Sequence, residues 1–241
     1  MRCSLLIAGA MLSLAACSAG RAQSAGPDIA RSFAVPAFDR IEVGGPFVVE
    51  VATGRQPAVA ARGPSAVVEK MVVTVENGTL KIHPEKRRGP MSGWGSVNRQ
   101  GTVRVAVAAP MLRAAAIAGS GDMAIDRIAT ETFEGSVAGS GVLKLPQVAV
   151  RSLGLEIAGS GRITAAGQAN EARYEIAGSG DLRAGQLTTE RTSVEIAGSG
   201  NIDAHARSTA KVDIAGAGNV RVTGGAKCSI DKAGVGNVQC S

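Results

Sequence analysis

Five carboxylates at near-regular spacing are the first candidates for chemistry in this chain. Glu156, Glu175, Glu195, Asp213 and Asp231 each stand three residues ahead of a glycine in a recurring Ala-Gly-x-Gly step. If those steps stack, the carboxylates form one column, with neighbours separated by about 4.8 Å. Such a column could bind cations or a partner. Like charges on adjacent strands repel, so the row needs neutralisers. Arg173 and Lys211 lie two residues before Glu175 and Asp213 and, by strand alternation, share their face. A partly neutralised, solvated row is therefore the plain expectation, and a binding stripe the sharper one.

Other chemistry finds less support. Glycine loops cradle phosphate where they open a helix, but these open strands, and no Gly-x-x-x-x-Gly-Lys occurs. A calcium roll needs acidic residues at a nine-residue period. The position after each Gly-x-Gly reads Asp122, Val142, Arg162, Asp181, Asn201, Asn219 and Asn237, at about twice that period. The last three read as an amide ladder along the stack. His83 and His205 are the only histidines, and neither has the spacing of a metal site or a catalytic triad. The segment EKRRGPMSGWGSVNRQG (85–101) places Lys86, Arg87 and Arg88 near the lone Trp94. It is either a loop whose Trp94 folds back on the nearest coil or a contact for lipid headgroups or a glycan. No cofactor is expected, and a formal charge of +6 with acids interspersed gives nucleic-acid binding little support.

The repeat explains where these residues stand. The first glycine of each step is Gly119, Gly139, Gly159, Gly178, Gly198, Gly216 or Gly234, at spacings of 20, 20, 19, 20, 18 and 18 residues. Two places earlier come Ile117, Val137, Ile157, Ile176, Ile196, Ile214 and finally Lys232; four places later come Met123, Leu143, Ile163, Leu182, Ile202, Val220 and Val238. Both flanks alternate with period two, so each unit reads as strand, tight turn, strand and looser return. A unit this short cannot bury its apolar face alone and must stack on its neighbours. Aromatics are 2% of the chain against 32 Gly, so the core is thin and the sheets lie close. The fold class is all-β: a flattened parallel β-helix, or β-solenoid, with Gly-x-Gly at its edge. Residues 113–241 carry the repeat. Residues 33–112 read as irregular first coils that cap the same solenoid, with a tight turn at Asn77-Gly78 and a short helix between Pro64 and Lys70.

The N-terminus has its own pattern. An apolar run from Leu5 to Ala16, too short to span a bilayer, ends in Leu14-Ala15-Ala16-Cys17. Residues 1–17 read as a signal peptide with a lipobox at Cys17, and 18–32 as a tether; cleavage near Ala22 is the alternative. Export leaves Cys228 and Cys240 in an oxidising compartment, twelve residues apart on facing strands of the last coil. They form either a disulfide that staples that coil or two small buried thiols. Lys232, in the place of an inward Ile, is the kind of charge that blocks further strand pairing.

The Gly-Ser-Gly units and the leader, with FDRIEVGGPFVVEV (38–51) and ENGTLKI (76–82), resemble the head GIN domain family, described as auto-transporter adhesins of bacterial envelopes. The resemblance spans roughly 33–240. It implies a right-handed β-helix shaped like a pectin lyase without that enzyme's catalytic residues. The expected function is a non-enzymatic envelope adhesin or scaffold: an outer-membrane lipoprotein facing periplasm or surface. Its partners would be the membrane through its anchor and a glycan or another envelope protein, with homo-oligomers an option. The alternative is a polysaccharide lyase or hydrolase on the same scaffold. Substituting Cys17→Ser should move the protein from the membrane to the soluble fraction. A native mature chain beginning near Gln23 would refute the anchor.

Overall fold

The computed structural model describes residues 26–85 and 101–241. Its first part comprises β1 (Asp28–Phe33), β2 (Arg40–Gly44), β3 (Val48–Thr53), β4 (Ala58–Pro64), the one-turn helix α1 (Ser65–Val68), β5 (Met71–Glu76), β6 (Thr79–Pro84) and β7 (Arg104–Ala109). The repeat follows as β8 (Ala114–Gly119), β9 (Asp122–Ile125), β10 (Ile128–Gly139), β11 (Val142–Gly159), β12 (Arg162–Gly178), β13 (Asp181–Gly198), β14 (Asn201–Gly216), β15 (Asn219–Thr223), β16 (Lys227–Gly234) and β17 (Asn237–Cys240). The repeat strands pair in parallel as a β-solenoid.

Every turn glycine stacks on the next. Gly119, Gly139, Gly159, Gly178, Gly198, Gly216 and Gly234 share one register. The two glycines of a step serve different purposes. Gly178, at φ +128°, occupies backbone space that L side chains rarely enter, and a Cβ on it would overlap the Gly159 carbonyl of the coil below. Gly180 has no positive φ, but a Cβ there would stand 2.6 Å from Ile157 Cγ2 and 2.9 Å from the Gly159-coil's Gly161 O.

The return edge differs from the looser connection expected. From β11 to β14 the chain crosses it as continuous strands of 16–18 residues. Register shifts between Leu145 and Val148, Thr164 and Ala166, and Ala184 and Thr188 absorb the unequal repeat lengths there. Extra residues bulge where side chains leave room, because the glycine edge has none.

Inward columns fill the core. Ile117, Val137, Ile157, Ile176, Ile196 and Ile214 are at most 3% exposed, and the column from Met123 to Val220 is as deeply buried. Tyr174 lies in the inward column of Gly135, Leu155, Val194 and Val212. Its buried hydroxyl has no hydrogen-bond partner among the described residues, and burial holds its proton far above the usual phenol range.

The N-terminal part joins the solenoid out of chain order. The coil of β2 and β3 lies directly on β8 and β9, with Val43 beside Ile117 and Val48 beside Asp122. The later coil of β6 and β7 lies outside it. Strands β6 and β7 flank the place where other coils turn at glycine, and residues 86–100 between them lie outside the described residues. Three antiparallel strands then close the end: β4 on β7, β1 on β4, and β5 on β6. The β5–β6 turn has Asn77 at φ 51° and Gly78 at φ 75°, the two-residue geometry that suits a twisted hairpin. Helix α1 occupies part of the stretch expected to be helical, beginning at Ser65.

Gly178→Ala and Gly180→Ala should each destabilise the fold by about 2 kcal/mol or more, since backbone must move. Gly185→Ala, whose nearest contact would be 3.9 Å from Asp203 Cβ, should change stability by about 0.5 kcal/mol or less. Thermal or urea unfolding checks both; equal effects would contradict the contact argument.

Candidate functional site

The register assembles the acidic column. Glu156, Glu175, Glu195, Asp213 and Asp231 stand side by side on β11, β12, β13, β14 and β16. Ser136 and Ala116 continue the column on β10 and β8, and Glu42 of β2 extends it beyond them. The repeat period does not reveal Glu42, because its coil enters the stack out of chain order.

Two cations neutralise the middle of the row. Arg173 hydrogen-bonds Glu175 and places Nη2 3.2 Å from Glu195 Oε2, so one guanidinium serves two carboxylates. Lys211 Nζ donates to Asp213 Oδ2 at 2.7 Å. That bond and Asp213's charge, reinforced by Asp231 and Glu195, hold the lysine's proton more tightly than usual. Glu156 and Asp231 form no ion pair among the described residues. All these groups are solvated, so the pairs stabilise little and chiefly relieve repulsion. Replacing Glu175 and Glu195 by Gln would relieve like-charge repulsion and at the same time orphan Arg173.

Where the column carries Ala116 and Ser136, the surface sinks. A shallow depression of about 440 Å³ is floored by small residues including Ala114 and Gly154 and flanked by Glu42, Glu134, Glu156 and Arg173. Its walls offer carboxylate acceptors and guanidinium donors without an aromatic platform, a set suited to hydroxyl or amide groups. The small residues in two adjacent outward columns were the signal in the sequence; the far wall at Glu42 had none.

The second sheet has its own ladder. Asn219 Nδ2 donates to Asn201 Oδ1 at 3.0 Å, and Asn201 Nδ2 donates to Asp181 Oδ1 at 3.1 Å. Arg162 completes it from the next coil, 3.1 Å from Asp181 Oδ2. The Asn201 hydrogen bond, with help from Arg162 and against partial burial, holds the Asp181 carboxyl below its ordinary 3.8. The amide ladder thus runs toward Asp181, while Asn237 shares its register on the last coil.

Cys17 and the basic segment Lys86, Arg87, Arg88 and Trp94 lie outside the described residues. Cys228 and Cys240 are joined as a disulfide, with Cα atoms 6.7 Å apart. His205 Nδ1 lies 3.1 Å from Thr223 Oγ1, a contact within the return edge. Among the described residues no cluster of three or more His, Cys, Asp or Glu is arranged to hold a metal ion.

Arg173→Gln should lower the thermal midpoint at low salt, with the deficit shrinking as salt screens the exposed acids. Adding Glu175→Gln and Glu195→Gln should recover most of that loss. A salt-independent deficit would mean that Arg173 acts through packing.

No curated protein matches the sequence. Solved structures share the fold at low identity. A "putative adhesin" from Bacteroides fragilis is 21% identical, with a TM-score of 0.80 over 89% of this chain and 97% of that one. A "putative adhesin" from Parabacteroides merdae is 17% identical, with a TM-score of 0.71 over 90% and 98%. A "putative lipid binding protein" from Parabacteroides distasonis is 22% identical, with a TM-score of 0.69 over 90% and 97%. The family described as "Putative auto-transporter adhesin, head GIN domain" matches residues 37–226, most of the stack, and the chain belongs to that family.

Proposed function

We propose that this protein is a non-catalytic, exported adhesin or scaffold of the cell envelope, tethered by a lipid at Cys17. Its solenoid presents the face of β10–β14 and β16 to a glycan or to another envelope protein. The observation that carries this reading is the registered column of Glu156, Glu175, Glu195, Asp213 and Asp231 beside the depression at Ala116 and Ser136. A repeated face suits a repeated ligand: weak contacts at successive coils add through linkage within one polymer. The bridging of Glu175 and Glu195 by Arg173 fits a recognition surface, where charges are arranged in complementary pairs. No described helix is long and apolar enough to cross a membrane, and the proposed anchor is the acyl group.

A glycan array paired with a uronide-release assay tests the reading. Binding without product is expected, and Ser136→Arg, which fills the depression, should weaken it. Turnover of a bound polysaccharide would overturn the non-catalytic assignment in favour of a lyase or hydrolase.

A further inference from the structure

The C-terminal coil is where the inward columns end without a cover. β16 pairs with β14 and β17 with β15, and no described strand lies on their other edges. The consequence appears within single columns. Val194 and Val212 are fully buried, whereas Ile230, next in line, is 49% exposed. Cys228 and Val238 are half-buried and Cys240 is exposed. The tip is therefore an apolar plug made of the disulfide, Ile230 and Val238. Lys227 and Asp231 stand on the outward side of its edge strand, while Lys232 takes an inward position near the turn.

We propose that this tip docks against the same tip of a second copy, with β16 antiparallel to its mate about a two-fold axis at Ser229. Charge complementarity selects the partner and the register. In this register Lys227 of one copy faces Asp231 of the other, and Cys228 faces Ile230, each contact occurring twice. Antiparallel partners must match inward with inward positions, so the alternatives move by two residues. A two-fold centred at Cys228 sets Lys227 against Ser229 and leaves Asp231 without a cation. One centred at Ile230 presses Lys232 against Cys228 inside the plug, and one at Asp231 opposes two aspartates.

Lys232 also sorts closed from open assembly. In a parallel head-to-tail stack it would be enclosed in the column of Ile214 and its predecessors. In the two-fold pair it faces Ala226 at the margin, where Nζ already donates to Gly236 O at 2.9 Å. The contact is isologous and uses up both edges, so it closes at two copies instead of growing a fibre. The chain enters the described fold at the opposite end, where Ser65 N–H donates to Pro27 O beside β1.

The purified protein carrying Cys17→Ser, and so free of any acyl group, should sediment as a dimer. Asp231→Lys should give a folded monomer by circular dichroism, and Lys227→Asp added to it should restore the dimer. Ser229→Cys should yield a covalent dimer under mild oxidation, because the two positions lie ~5 Å apart across the axis. A wild-type monomer at roughly 100 µM would overturn the proposal. So would a dimer indifferent to the single charge reversal, which would place the contact elsewhere. These outcomes do not depend on whether the polar face binds a glycan.

Discussion

Backbone against backbone at the glycine edge is the contact that sets everything else in this solenoid. From Gly139 to Gly234, the first glycine of each step lies so close to its equivalent one coil below that a Cβ would overlap the carbonyl oxygen there. From Gly141 to Gly218, the second glycine is confined by a carbonyl and a β-branched side chain of the coil beneath it, as Gly180 is by Gly161 and Ile157. Such a contact tolerates no slip. Parallel strands that could otherwise shift against one another are pinned at one end, and the period-two pattern then assigns every following side chain to a face.

Register held at one edge moves all irregularity to the other. Repeat lengths vary, yet the glycine column and both inward columns beside it stay aligned. The differences appear as shifts on the return edge, at Leu145/Val148, Thr164/Ala166 and Ala184/Thr188. The outward columns inherit the same alignment, which is why five acids fall on one line. Stacking like charges is unfavourable, and the protein offsets it locally with Arg173 between two glutamates and Lys211 beside an aspartate. On the second sheet the same constraint produces a hydrogen-bonded ladder from Arg162 through Asp181 and Asn201 to Asn219.

A stack of this kind also makes its ends special. The N-terminal end turns its last strands antiparallel, with β4 on β7, β1 on β4 and β5 on β6. At the C-terminal end the columns stop and Ile230 remains half uncovered over a disulfide. Sides and ends thus offer two kinds of surface. The sides repeat one chemical motif along a line, whereas the tip presents a single self-complementary patch.

The amino-acid pattern was enough to read the repeat, its turn, both core columns and the five acids from Glu156 to Asp231. Each depends on local periodicity, and neighbouring coils are neighbours in sequence. The same logic reached the Asn77-Gly78 turn, because two positive φ values are a demand on individual residues. It failed where contacts are non-local. The coil at 40–53 inserts between 79–109 and 114–125, an order that no period encodes, so Glu42 entered the acidic column unseen. The pairing of Arg173 with two carboxylates and the depression beside Ala116 likewise required side chains from several coils to meet. Spacing assigns a residue to a face; which charges touch across that face depends on the stacked backbone that brings them within reach.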